Sequence, residues 1–316
     1  MNVNYKMHGA KTSTGKKSKF AYYLKRDFFL YLMLMIPMAF FILFKYVPLY
    51  GIIIAFKDYN LFQGIAKSKW IGLDAFKQLF AMKEFYRAVK NTFMLNGLDL
   101  IIGFPAPIIL AIALNEIRSN WYKKVSQTLL YLPHFLSWVI VGGISYQIFN
   151  STGLINNVVK SFGGTPIPFL TEKWNWLFTY IGIGVWQSVG WGTIIYLAAI
   201  TGINKELYEA AEVDGASRLK RIWHVTLPGI KPTIIMLLIL QLGRMVSIGF
   251  DRPYIIGNDL VKNFSDVIST FVYRIGIGAG DFTLATAVGL FQSVVSLIFL
   301  LVANYIAEKS GEQGIW

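Results

Sequence analysis

Apolar and polar positions in this chain segregate in long blocks. Six mostly apolar runs, at 28–47, 92–114, 128–149, 177–200, 233–250 and 284–307, are separated by stretches that hold nearly all of the charge. Each run is close to the roughly 20 residues a helix needs to cross bilayer hydrocarbon. Backbone polar groups in lipid must be satisfied within the segment, so the runs predict helices. The alternating segments of about 10 residues that mark a membrane β-barrel do not occur. The expected fold is an all-α integral membrane protein with six transmembrane helices. A basic tail at 1–27 precedes the membrane domain at 28–307, and a short tail follows at 308–316.

Composition agrees with that pattern. Hydrophobic residues make up 55% of the 316, and charged residues only 15%, against about 25% in soluble domains. The net charge of +13 fits cytoplasmic loops rich in Lys and Arg. No basic stripe interleaved with aromatics stands on a soluble module, so nucleic acid is not an expected partner. With the N-terminal tail inside, segments 1–27, 115–127, 201–232 and 308–316 hold 16 Lys and Arg, against 12 in the longer loops between them. Both termini are therefore expected in the cytoplasm. The first run is too long for a signal-peptide core and lacks a small-x-small site, so it reads as an uncleaved span.

Several chemistries drop out. There is no cysteine, which excludes disulfides, thiolate metal sites and catalytic thiols. His8, His134 and His224 lie far apart, so no histidine metal site is expected. Outside the spans, Phe76, Leu79, Phe80 and Phe85 recur at helical spacing and predict a short amphipathic helix leading into the second span. The glycines of "GIGAG" (276–280) read as a turn, since no strand precedes them as a phosphate-binding loop would require.

One polar stretch is more ordered than a connecting loop. "NKELYEAAEV" has good helix formers, Asn204 as N-cap and acids in its first turns. Asp214-Gly215 breaks it, Ser217 opens a second short helix, and Leu227-Pro228 is expected to end that helix. The spacing of Glu209-Ala210-Ala211, Gly215, Val225 and Leu227-Pro228 resembles the EAA loop of permease subunits in binding-protein-dependent ABC importers. "DGA" at 214–216 is typical of the sugar-importing branch. Val225, where the family usually has Ile, is a conservative departure. "FKYVPLYGIIIAFKDYN" (44–60) followed by "WIGLDAFKQLF" (70–80) is similar to the LplB-type members of the maltose-permease-like group, so the resemblance covers nearly the whole chain.

The resemblance implies a MetI-like permease fold in a bacterial cell membrane and a role in uptake of oligosaccharides or polysaccharide fragments. It implies that loop 204–228 is a coupling helix docked on a cytoplasmic ATPase. Glu209, Ala210, Ala211, Asp214, Gly215 and Ala216 would line that contact, with Leu227 and Pro228 anchoring the return. It further implies a second permease subunit forming a heterodimer, two ATPase copies, and an extracellular or periplasmic solute-binding protein. The chain itself is not expected to be an enzyme or to bind a cofactor. "GAKTSTGKK" (9–17) has one residue too many between its glycines for a P-loop and Lys17 in the Ser/Thr place, so ATP and Mg belong to the partner.

Polar groups inside spans mark transport paths by default. Asp99, Gln187, Gln241 and Arg244 are the candidates, with Trp191 beside Gln187 as an aromatic face for a sugar and Asn304 near the end of the sixth span. The plainer alternative is interhelical bonding, including an Asp99–Arg244 pair. A path-facing Arg244 would attract acidic sugars. His134, after Pro133, is expected to pack near a kink. A stand-alone secondary transporter would need inverted repeats and an ion-coupling carboxylate, for which only Asp99 is well placed. An intramembrane enzyme would need paired acids, HExxH or G-x-S-x-G, none of which occurs.

Overall fold

The computed structural model describes residues 22–311 apart from Leu24. Residues 1–21 of the basic tail, including the 9–17 stretch, and residues 312–316 lie outside the described residues. Packing divides the chain after Ile53 into two units. In the first, α1 (Phe28–Phe41) contains Pro37 and passes into a π-turn, Ile42–Tyr46, that carries Lys45. Its sequence, FFLYLMLMIPMAFF, is apolar on every face, as suits a helix immersed in lipid.

The second unit opens with a short antiparallel pair, β1 (Lys57–Asp58) and β2 (Lys69–Trp70). The expected amphipathic helix is α2 (Asp74–Ala81), which buries Ala75 and Leu79. One residue later α3 (Lys83–Leu98) begins and runs through a π-turn, Asp99–Gly103, into α4 (Pro105–Asn115). The widened turn is a response to Pro105, which has no N–H to donate. Phe104 N–H instead reaches back five residues to the Asp99 carbonyl at 2.9 Å.

The third apolar run departs from a single straight span. It forms α5 (Asn120–Tyr131) and α6 (Trp138–Phe149), and the two parts of the run are bent by 103° at the break between them. Pro133 removes a backbone donor, the chain tightens to a 3-10 turn over Leu132–Phe135, and Leu136 is extended. Ser137 then caps α6 by accepting from the Ile140 N–H. Counting the bent pair once, the described residues hold up to six helices long and apolar enough to cross a membrane.

The longest helix, α7 (Lys173–Thr201), packs against α4, α5 and the Leu132–Phe135 turn. Trp176 and Tyr180 are fully buried on it. After it come α8 (Lys205–Val213) and α9 (Arg218–Arg221), then α10 (Leu227–Gly243), α11 (Asp251–Ile256), α12 (Ile268–Tyr273) and α13 (Phe282–Lys309). Gly276 and Gly278 lie in a further π-turn, Arg274–Gly278. Within "GIGAG" only Gly280 has positive φ.

The fifth span also needs correcting at both ends. Leu227-Pro228 does not stop the second loop helix, because α9, a π-turn at Ile222–Thr226 and α10 form one run, Arg218–Gly243. The π-turn, closed from Leu227 N–H to the Ile222 carbonyl, delivers Pro228 to the second residue of α10. A missing donor is tolerated there. At the other end the helix stops at Gly243 instead of reaching Phe250. The freed carbonyls of the following turn are claimed by side chains of other helices. Asn96 donates to Met245 at 2.7 Å and Arg244 at 3.4 Å, and Gln292 donates to Val246 at 2.9 Å. Broken helices survive in a membrane only with such replacements.

Candidate functional site

Those two breaks and the Asp99–Gly103 π-turn frame a cavity of about 450 Å³. Asp99, Trp191, Gln241 and Arg244 all line it, so four of the five path residues read from the sequence converge. His134 joins them from the turn between α5 and α6. Its ring lies parallel to the Trp191 indole, with centroids 4.6 Å apart and planes 7° apart. Trp191 keeps about half its surface exposed, 48%, and so presents an aromatic face to the cavity.

Gln187 is placed differently. It is 9% exposed, and its Nε2 lies 3.5 Å from the His134 carbonyl, where it supports the break in the third span. Asn304 is buried away from the cavity and donates to Glu308 at 2.8 Å.

Asp99 is paired, and its partner is Arg252. Arg252 Nη1 donates to Oδ2 at 2.8 Å and Nη2 to Oδ1 at 3.3 Å, a two-pronged contact; Nη2 also donates to the Tyr180 carbonyl at 2.7 Å. The guanidinium lies 3.8 Å over the Tyr180 ring centre. Arg244 has no hydrogen bond or ion pair from its guanidinium to any described residue, and it is exposed to the cavity. The expected Asp99–Arg244 alternative is thereby replaced. Arg252 escaped the sequence reading because it falls just past the expected end of the fifth span, in what read as a loop. A signal existed: an acid inside a span needs a cation, and Arg252 stands two positions beyond that span.

The loop at 204–228 is built from local bonds. Asn204 caps α8 by accepting from Glu206 N–H at 3.1 Å. At the other end Gly215 has φ +69. Its N–H donates to the Glu212 carbonyl and that of Ala216 to the Ala211 carbonyl, the paired bonds of a Schellman motif. A left-handed residue is required there, and glycine adopts it without a steric penalty. Arg221 and Glu212 form an ion pair at 3.2 Å, and Tyr208 Oη lies 2.9 Å from Thr226 Oγ1, tying α8 to the run that follows. Glu209, Ala210, Asp214 and Gly215 are exposed, Ala211, Ala216 and Leu227 are half-buried, and Pro228 is exposed. Leu207 and Val213 are also exposed, at 54% and 88%.

A polytopic helical protein with broken spans around a polar cavity, and a self-capped helix–turn–helix between two spans, is a membrane transport subunit in architecture. Residues 103–310 match the family described as the binding-protein-dependent transport system inner membrane component, and this chain belongs to it. The protein LplB of Bacillus subtilis is 45% identical over 306 residues, covering 96% of each chain. The polygalacturonan/rhamnogalacturonan transport system permease protein YteP of the same organism is 46% identical over 303 residues, covering 95% of this chain and 94% of its own. Among solved structures, a chain of a bacterial ABC transporter involved in import of the acidic polysaccharide alginate superposes with TM-score 0.85 at 41% identity. That match covers 92% of this chain and 99% of the other. A second structure of a bacterial alginate ABC transporter, in complex with an alginate pentasaccharide-bound periplasmic protein, gives TM-score 0.84.

Proposed function

We propose that this chain is one of two membrane subunits of an ATP-driven importer of acidic oligosaccharides. A solute-binding protein outside would deliver the sugar, and two copies of a separate ATPase inside would drive the cycle. The observation that carries the reading is Arg244, a guanidinium without a partner among the described residues, facing a cavity that Trp191 also lines. Sugars bind aromatic faces through their C–H surfaces, and a guanidinium donates two parallel hydrogen bonds to a uronate carboxylate. Relatives named for polygalacturonan and alginate transport support the same substrate class.

In this reading both termini and the 204–228 loop face the cytoplasm. The exposed Ala210, Asp214, Gly215 and Val213 form the docking surface for the ATPase, which alone binds ATP and Mg. Small side chains permit close approach, and surface charges give orientation without permanence. The sister permease is a distinct subunit. ATP-driven closure of the ATPase dimer would shift the permease pair between inward-open and outward-open populations. A secondary transporter would need Asp99 free to carry a coupling ion, and Arg252 occupies both of its oxygens.

The test uses the assembled transporter in proteoliposomes with its binding protein. Uptake of an oligogalacturonide is compared with that of the same oligomer after its carboxylates are reduced to alcohols. Arg244→Gln is expected to slow the acidic sugar about tenfold or more and the reduced one much less, since a charge-assisted hydrogen bond is worth about 1.5–3 kcal/mol. Equal loss for both sugars would remove the charge argument.

A further inference from the structure

Two arginines and one aspartate reach the cavity. The sign of its field therefore depends on what the aspartate is doing. With both Asp99 oxygens held by Arg252, the pair is neutral as a unit, and one positive charge, Arg244, is left over. Without Arg252, Asp99 would stand bare in the same space and cancel Arg244 or repel an anionic ligand. We propose that Arg252 sets the charge sign of the transport cavity. It is a positioning residue for substrate selection that acts through Asp99. Its consequence for selection rests on the acidic-sugar reading above, whereas the charge assignment stands separately.

The geometry is built for this pairing. Arg252 and Asp99 are 153 positions apart in sequence, and their side chains are only 13% and 21% exposed. The guanidinium occupies space that exists because residue 184 is glycine; a Cβ there would overlap Arg252 Nη2 and Cζ. The Tyr180 carbonyl one turn earlier on α7 receives the remaining prong. Yet Arg252 Nε is buried without a partner among the described residues. An orphaned buried donor weighs against stability, and an ion pair of this kind is weak evidence of stabilisation in itself. The arrangement is better suited to fixing charge than to holding helices together.

The chain has no cysteine, which allows the field to be read directly. Ser188 lines the cavity and is exposed, one turn from Gly184. With Ser188→Cys in the assembled complex, the labelling rates of an anionic sulfonatoethyl and a cationic trimethylammonioethyl methanethiosulfonate are measured by mass of this chain. Arg252→Gln is expected to lower the anionic-to-cationic rate ratio by about five- to thirtyfold, the effect of one unit of charge at cavity distances in a partly wet site. Arg252→Lys should retain much of the ratio. Asp99→Asn together with Arg252→Gln should restore it, and Asp99→Asn alone should raise it.

Gly184→Ala, which displaces the guanidinium while leaving every charged residue in place, should lower the ratio less than Arg252→Gln does, since the positive charge stays nearby. If the single and double variants give the same ratio, Arg252 is structural and the proposal is wrong, whatever Arg244→Gln shows. If the ratios follow this order while acidic and reduced sugars enter equally in every variant, the acidic-sugar reading fails and with it the role in selection. If both follow, the proposal holds.

Discussion

The 204–228 loop and the cavity solve opposite problems with the same side-chain chemistry. In the loop an asparagine, a serine and a glycine satisfy the backbone within a few residues of themselves: Asn204 to Glu206, Ser217 to Lys220, Gly215 to Glu212. In the cavity the same task is done at long range. Asn96 holds carbonyls at 244 and 245, and Arg252 holds Asp99 and the Tyr180 carbonyl. A self-capped loop keeps its shape whatever the helices around it do, which is what a surface pushed by another protein needs. A cavity assembled from distant segments keeps its shape only while those segments stay in register. The difference teaches where motion can enter: in the proposed cycle the loop would move as a body, while the cavity would change its contents.

The largest expected effect breaks the comparison on the loop side. Gly215→Glu puts a side chain into a left-handed conformation that costs about 1–2 kcal/mol, and it adds bulk and charge at the docking surface. Nothing lies within 4 Å of the position where its Cβ would be built, so the membrane domain itself should be undisturbed. Expression and membrane insertion should match the parent, while sugar-stimulated ATPase activity and uptake fall by at least about tenfold, as for a residue central to an interface. Uptake unchanged in that variant would show that the loop is not the mechanical joint.

A smaller effect is expected on the cavity side. Asn96→Ala removes a donor that is itself 7% exposed and leaves the Met245 carbonyl without its bond, while the Arg244 carbonyl keeps the Ser247 N–H at 2.8 Å. The loss should be about 1–3 kcal/mol, read as a lower unfolding temperature of the complex in detergent. Because Arg244 sits on the turn that Asn96 holds, the preference for acidic over carboxyl-reduced sugar should fall as well. A stability loss without any change in preference would separate the turn from the placement of Arg244.

These two regions were unequally legible. The loop could be read because its bonds connect neighbours: Asn204 as cap, Gly215 as left-handed stop and Ser217 as the second cap all appear as residue types at fixed short spacings. The same locality misled at one point. Leu227-Pro228 reads as a stop, but a π-turn upstream lets the helix continue through Pro228. The apolar runs located the spans and Pro133 marked a kink beside His134, but that the kink opens to a 103° break was not written in hydropathy. In the cavity, residue types inside spans identified Asp99, Gln241, Arg244 and Trp191. They could not say which acid met which base, because Asp99–Arg252 is a fact of tertiary structure. Gln187 had the right chemistry for a path residue, yet it faces the break at His134.

The smallest effect sharpens the comparison, since it makes the same Asn-to-Ala change where satisfaction is local. Asn204→Ala removes the cap of α8, and its Glu206 N–H is exposed and can bond water instead. The cost should be about 0.5–2 kcal/mol, the usual worth of an N-cap, and it should fray only the first turn of a nine-residue helix. The Schellman end at Gly215 and the Arg221–Glu212 and Tyr208–Thr226 ties remain. Faster amide hydrogen exchange at 205–208 should therefore appear without faster exchange at 211–216 and with uptake reduced no more than about threefold, since the docking surface lies beyond the frayed turn. Exchange spreading through 211–216 would mean that the loop is one cooperative unit with its cap. The contrast between locally held loop and remotely held cavity would then have to be drawn at the level of the whole helix–turn–helix, not at its individual bonds.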